Sequence, residues 1–289
     1  MTNEQRIGAF WKILSCLSFA SGNCLMKEIS FELQAETIVF FQTLFGLVCL
    51  LPFAWTSQVS VWRSNRMDLQ IFRVFFALVG MLLWCKAVSA LPIGQAVALN
   101  FTGPLITICG SILFLKESMT VYRFLAIILG FCGGFIVANA RYLSGESAFG
   151  SESIPMLLPL GSAAAFSLCT LLNKKLTNYD PPLTIVTYLM VFMLPVLGVL
   201  AWLNGTWPSP HALGLLAILG ANLAFAQFAL TRSFVCADLI FLLPFGSLRL
   251  VVSALLAFVF FGQNLNIWIF GGFFAIMGAL FVLARFERC

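Results

Sequence analysis

Apolar residues run along this chain in long blocks separated by short polar punctuation. A bilayer core of about 30 Å takes about 20 apolar residues in helical form. Ten blocks reach that length, near 8–27, 36–55, 69–90, 93–115, 120–140, 154–173, 183–203, 211–231, 236–261 and 266–284. Each predicts a membrane-crossing helix. The fold class expected is therefore an all-α integral membrane protein with ten transmembrane helices. The longest connections, near 56–68 and 141–153, are too short for a soluble domain. The first block has no small-residue cleavage site and many blocks follow it, so it reads as a retained helix and not a leader.

Composition agrees. The chain is 61% hydrophobic and 9% charged, against about 45–50% apolar and 25% charged in soluble domains. A net charge of +5 invites a nucleic-acid reading, but the basic residues sit in short connections, where orientation signals sit. With both termini in the cytoplasm, the inner side collects Arg6, Lys12, Arg63, Arg66, Arg73, Lys116, Arg123, Lys174, Lys175, Arg232, Arg285 and Arg288. The outer side keeps Lys27, Lys86 and Arg141, and Arg249 falls inside a span. That asymmetry sets the predicted orientation: a multi-pass protein of a bacterial inner membrane. Partners expected are the lipid bilayer and a small-molecule substrate, with no nucleic acid, and the protein is expected to be a monomer or homodimer. The nine cysteines show no CxxC or zinc spacing and read as small buried hydrophobes.

The two halves of the chain resemble each other. Phe19 with Lys27 recurs 147 residues on as Phe166 with Lys174. The stretch "ILFLKESMTVYRFLAIILGFCGGFIVANAR" runs parallel to "FVFFGQNLNIWIFGGFFAIMGALFVLARFE", which sets Glu117 against Gln263. Residues 1–145 and 146–289 then form two repeats of five helices. Five is odd, so the copies insert in opposite senses, and such carriers hold their substrate where the halves meet near the midplane.

Ten spans, an inverted repeat and this length resemble the drug/metabolite transporter (DMT) superfamily in its EamA-type branch. The segment "SALPIGQAVALNFTGPLITICGSILFLKESMTVYRFLAIILGFCGGFIVA" carries most of the likeness. It has an outer loop, a fourth helix with a mid-span proline, an acidic residue (Glu117) at that helix's end and a Gly-rich fifth helix. The second copy departs from the pattern with Gln263. The stretch "LRLVVSALLAFVFFGQ" is similar to carriers that import S-adenosylmethionine into some intracellular bacteria. The resemblance implies transport and leaves the substrate open, because members move amino acids, nucleotide-like metabolites, vitamins, drugs and cofactors.

Arg249 is the sharpest candidate for chemistry. It lies about twelve residues, roughly 18 Å, from either end of the ninth block, too deep to snorkel. An arginine at a helix centre costs about 2.5–3.5 kcal/mol on insertion scales. Either it binds a carboxylate or phosphate in a polar cavity, or it locks two helices through backbone carbonyls or an acid. Gly103 with Pro104 in the fourth block, and Pro244 with Gly246 in the ninth, predict helix breaks at matching places. Such breaks serve gating or are simple packing kinks. Asn23, Asn100, Asn222 and Gln227 are in-span amides that line a cavity or bond between helices. Trp84 either stacks on a planar substrate or anchors at the membrane interface.

No Asp or Glu stands in the middle of a block, which speaks against proton-coupled cation export. There is no Walker A motif and one histidine, His211. Neither a cofactor nor a metal is expected. The expected function is a secondary transporter, not an enzyme, that moves a small organic metabolite bearing a carboxylate or phosphate by alternating access. One alternative is an uptake or exchange carrier for S-adenosylmethionine or an amino acid. Another, a lipid-modifying membrane enzyme, would need an acid/base or metal cluster at one face, and the sequence shows none.

Overall fold

A computed structural model describes residues 3–56, 63–91, 93–100, 102–117, 119–138, 153–204, 207–246 and 248–261, with isolated positions between 268 and 278. The tenth predicted helix lies largely outside the described residues, as do Ser247 and Gln263.

All regular structure among the described residues is helical. In lipid the backbone has no water to bond, so each apolar block satisfies its polar groups within itself. The helices are α1 (Asn3–Ile29), α2 (Ala35–Thr56), α3 (Met67–Ala90), α4 (Ile93–Asn100), α5 (Gly103–Gly110) and α6 (Val121–Ala138). Then come α7 (Ser153–Leu176), α8 (Pro182–Asn204), α9 (Pro210–Cys236), α10 (Leu239–Gly246) and α11 (Leu248–Phe261). Among the described residues six spans are long and apolar enough to cross a membrane: Ala35–Phe53, Met67–Ala90, Leu157–Leu176, Pro182–Leu203, Pro210–Cys236 and Leu239–Phe260. The helix α1 is long enough but more polar. Its Lys12, Ser15, Ser18 and Asn23 all face a cavity.

One of the two predicted breaks is seen among the described residues, and the other falls at Ser247, outside them. The fourth block splits between Asn100 and Gly103. Pro104 falls in the first turn of α5, where its missing N–H costs no hydrogen bond. The same block closes on one π turn, Ser111–Leu115, before Lys116 turns left-handed with φ 56°. In the ninth block Pro244 stays inside α10. Helix is described up to Gly246 and again from Leu248, on either side of Ser247. The first turn of α10 is pinned from outside, because both carboxylate oxygens of Glu117 accept the Leu239 and Ile240 N–H groups at 3.0 Å. The proline is therefore accommodated within a helix whose start is capped by an acid.

The helix α1 packs chiefly on α9, and α3 on α7. The start of α1 lies at the end of α9, since a Cβ on Gly8 would meet Ala237 Cβ at 2.9 Å. Two lysines, 147 residues apart, do the same work at opposite faces of the bundle. Lys27 donates to the carbonyls of Val88, Ser89 and Leu91, at the end of α3 (2.8, 3.0 and 3.3 Å). Lys174 donates to those of Phe234 and Ala237, at the end of α9 (2.7 and 2.8 Å). Each satisfies terminal carbonyls that the helix itself leaves unbonded.

Two acids repeat the pattern at helix starts. Glu32 accepts the Ser209 N–H at 3.2 Å, before α9. Asp180 accepts the Asn65 N–H at 2.9 Å and the Gln70 amide at 3.2 Å, at the start of α3, and the Ser64 hydroxyl also donates to it.

Candidate functional site: a cationic cavity between the helices

A cavity of about 260 Å³ lies between the helices. From α1 it receives one stripe, Lys12, Cys16, Phe19, Asn23 and Met26, whose spacing of three and four puts them on one helix face. The other walls come from α2 (Gln42), α3 (Met81, Trp84), the α4–α5 break, α7, α9, α10 and α11. Among the described residues its lining holds two cations, Lys12 and Arg249, and no carboxylate.

Arg249 reaches from the start of α11 toward α1 and α3. Its Nη2 donates to Asn23 Oδ1 at 3.2 Å. Its guanidinium lies over the rings of Phe19 and Trp84, at 5.2 and 5.3 Å from their centroids. Such contacts contribute about 0.5–2 kcal/mol each, more when dry. Its Nε is buried and meets no acceptor. Neither a backbone carbonyl nor an acid holds this side chain among the described residues, and Asn23 and the two rings are what join it to α1 and α3.

Trp84 is buried rather than interfacial, and its Nε1 donates to the same Asn23 oxygen at 3.3 Å. Two obligate donors on one atom fix the Asn23 amide, so its Nδ2 is the group left without a protein acceptor. The Gln42 Nε2 is likewise buried and unmatched. An acceptor-rich ligand suits these walls.

The remaining predicted residues separate by partner. Asn100 lines the cavity and donates to Ser162 Oγ (3.1 Å) and Pro159 O (3.2 Å) on α7. Gly103 lines it too, and its carbonyl accepts Ser167 Oγ at 2.7 Å. A Cβ there would stand 3.0 Å from that hydroxyl, so glycine is what lets the break close on α7. Pro104 borders the cavity beside it. Asn222 ties α9 to α1 through Ser18 O and Ser21 Oγ, both at 3.0 Å, while facing the cavity. Gln227 and Gly246 line it, and Pro244 is buried outside it. The Cys16 thiol donates to Phe245 O (3.7 Å) and Gly246 O (4.0 Å), joining α1 to the end of α10.

Sequence reasoning placed Lys12 among the cytoplasmic charges. It sits about 14 Å along α1 from Asn3 and lines the cavity, its ammonium 5.5 Å from the centroid of the Phe234 ring. The signal that could have found it is its place on the stripe that carries Phe19 and Asn23. Arg73 is a second reassigned charge. It is fully buried, and its Nη1 donates to Ile185 O at 2.8 Å, joining α3 to α8.

Comparison with known proteins supplies the context for this geometry. A riboflavin transporter of Vibrio cholerae serotype O1 is 30% identical over 282 residues, covering 96% of this chain and 91% of the relative. An S-adenosylmethionine uptake transporter of Rickettsia bellii is 27% identical over 259 residues, covering 89% and 86%. One solved crystal structure superposes with a TM-score of 0.80 at 16% identity over 99% of both chains, a likeness of fold. The model of the EamA-like transporter family matches residues 6–139 and again 153–285. A membrane bundle with broken helices around a polar cavity, matched over nearly its whole length, belongs to the EamA-like transporter family.

Proposed function

We propose that this transporter is a secondary carrier that moves a small organic metabolite across the bacterial inner membrane by alternating access, with the substrate's carboxylate or phosphate held at Arg249. The observation that carries the proposal is a mid-span guanidinium in a cavity that, among the described residues, offers it rings and an amide but no acid. Asn23, Asn100, Asn222, Trp84 and Gln227 complete the binding wall, and the breaks at Gly103–Pro104 and beyond Pro244–Gly246 are the hinges. Ten helices form two inverted repeats, residues 1–145 and 146–289. The matched contacts of Lys27 and Lys174, 147 residues apart, and of Glu32 and Asp180, 148 apart, support that arrangement. The face at which α1 begins is cytoplasmic.

Two scaffolds are candidates, one with a carboxylate for Arg249 and one, riboflavin, with neutral acceptors only, so saturable uptake of riboflavin alone would count against an anion at Arg249. The relatives named for riboflavin support a planar heteroaromatic ring, which the Phe19 and Trp84 faces would stack. Those named for S-adenosylmethionine support an amino-acid carboxylate on Arg249. Right-side-out vesicles decide between them by saturable uptake of each compound. Arg249→Ala is expected to abolish saturable uptake while the purified protein stays monodisperse. Unchanged uptake of the true substrate by that variant would overturn the assignment.

A further inference from the structure

The proposed carrier function accounts for Arg249 and leaves the second cation of the cavity unexplained. Lys12 stands on α1, one turn before Cys16, and its Cε lies 3.8 Å from where a Cβ on Gly246 would be. Gly246 in turn precedes Arg249 by three residues, so the packing of α1 on this part of the ninth block brings both cations to one stretch of the wall. Cys16, one turn beyond Lys12, fixes that packing by donating its thiol to the Phe245 and Gly246 carbonyls. The only charge-directed contact of Lys12 among the described residues is the face of Phe234.

Two cations lining one cavity repel each other, and an opposite charge between them offsets both that repulsion and their desolvation. A single carboxylate would leave one of them uncompensated. A group with two charges and three acceptor oxygens would neutralise both. It would take Arg249 through the planar guanidinium and Lys12 as a point charge, the usual division of labour of these residues at phosphate.

We infer that Lys12 and Arg249 together form a subsite for a phosphate monoester, so that the transported metabolite is phosphorylated. This inference rests on the carrier reading and narrows its substrate class. Lys12 is a binding residue by this account.

The test uses the full-length protein in detergent and three probes: riboflavin, riboflavin 5′-phosphate and inorganic phosphate. The two flavins differ only in the phosphate, and the inorganic ion separates an ester site from one for free phosphate. In thermal-shift titrations the wild type should bind the phosphorylated flavin at least about tenfold more tightly than riboflavin. Lys12→Gln should cost the phosphorylated flavin about thirtyfold and narrow its advantage over riboflavin accordingly. Lys12→Arg should restore most of the loss, which a defect in folding would not. Equal discrimination by wild type and Lys12→Gln overturns the inference, and so does a wild type stabilised by no phosphorylated probe. Tighter binding of inorganic phosphate than of the ester reassigns the subsite to the free ion and overturns the monoester. If wild-type vesicles show no saturable uptake of any metabolite, the carrier reading itself falls. If uptake holds while Lys12→Gln is silent, only the phosphate subsite falls.

Discussion

Two buried arginines show how one residue type serves two ends. Arg73 spends a donor on the Ile185 carbonyl and sews α3 to α8. Arg249 lies against rings and one amide, a set that a substrate group can displace or join. Trp84 links both parts of that set. Trp84→Phe keeps a ring beneath the guanidinium and loses the donor to Asn23. It should raise KM about threefold to tenfold, the net worth of one hydrogen bond, whereas Trp84→Ala should raise it further by removing the stacking face as well. Uptake kinetics in vesicles check the order.

Arg249 was legible in the sequence because it is an isolated charge far from either end of an apolar block. Lys12 was not, because a cation nine residues into the first helix looks like an end-of-helix charge until the helix face it shares is known. The in-span amides were legible as a group. That Asn100 and Asn222 also bond between helices depends on which neighbours they meet, and sequence periodicity does not specify neighbours.

At the scale of the helix, hydropathy located each described block to within a few residues, because lipid demands long unbroken apolar runs. The detail it missed is the start of α10, which Glu117 caps with both carboxylate oxygens, while Pro244 lies inside the helix. Glu117→Gln keeps the size of that cap and weakens its charge. A helix start held by a neutral amide should be less stable by about 1 kcal/mol, read as a lower melting temperature in detergent. Close helix contact is the other element-level determinant. A Cβ on Gly220 would meet the Gln42 carbonyl and Phe45 Cβ at 2.7 Å, and one on Gly46 the Gly220 carbonyl at 2.9 Å. The helices α2 and α9 therefore touch through backbone. Gly220→Val should separate them at a cost of about 1–3 kcal/mol, and the same melting experiment should show a larger loss than for a lipid-facing substitution such as Val199→Ala.

At the scale of the molecule, polar ties join the two halves at both faces. At the face where α1 begins, Asp180 collects three donors around the start of α3, and Glu117 holds α10. At the opposite face, Glu32 accepts one N–H from Ser209. In the proposed alternating-access cycle, rocking of the two repeats opens one face while the other holds. Asp180→Ala should weaken the first and leave the second intact. A cysteine label introduced on the cavity side, at Leu230→Cys in a background without reactive thiols, should then react faster from the face where α1 begins. An unchanged labelling rate would show that this tie does not govern opening.

The acid-free cavity has an electrical consequence. When the cavity opens to one side, the membrane potential falls across the sealed side, so its two cations take the potential of the open side. Reorienting the empty carrier is then equivalent to moving two positive charges through the field, at about 2.3 kcal/mol per charge for each 100 mV. With a dianion bound, the same movement carries no net charge. In a polarised membrane the loaded carrier should turn over freely, while the empty one is held facing the negative side. Counterflow of labelled against unlabelled substrate should therefore be insensitive to an imposed potential, and net uptake should slow as the interior is made more negative.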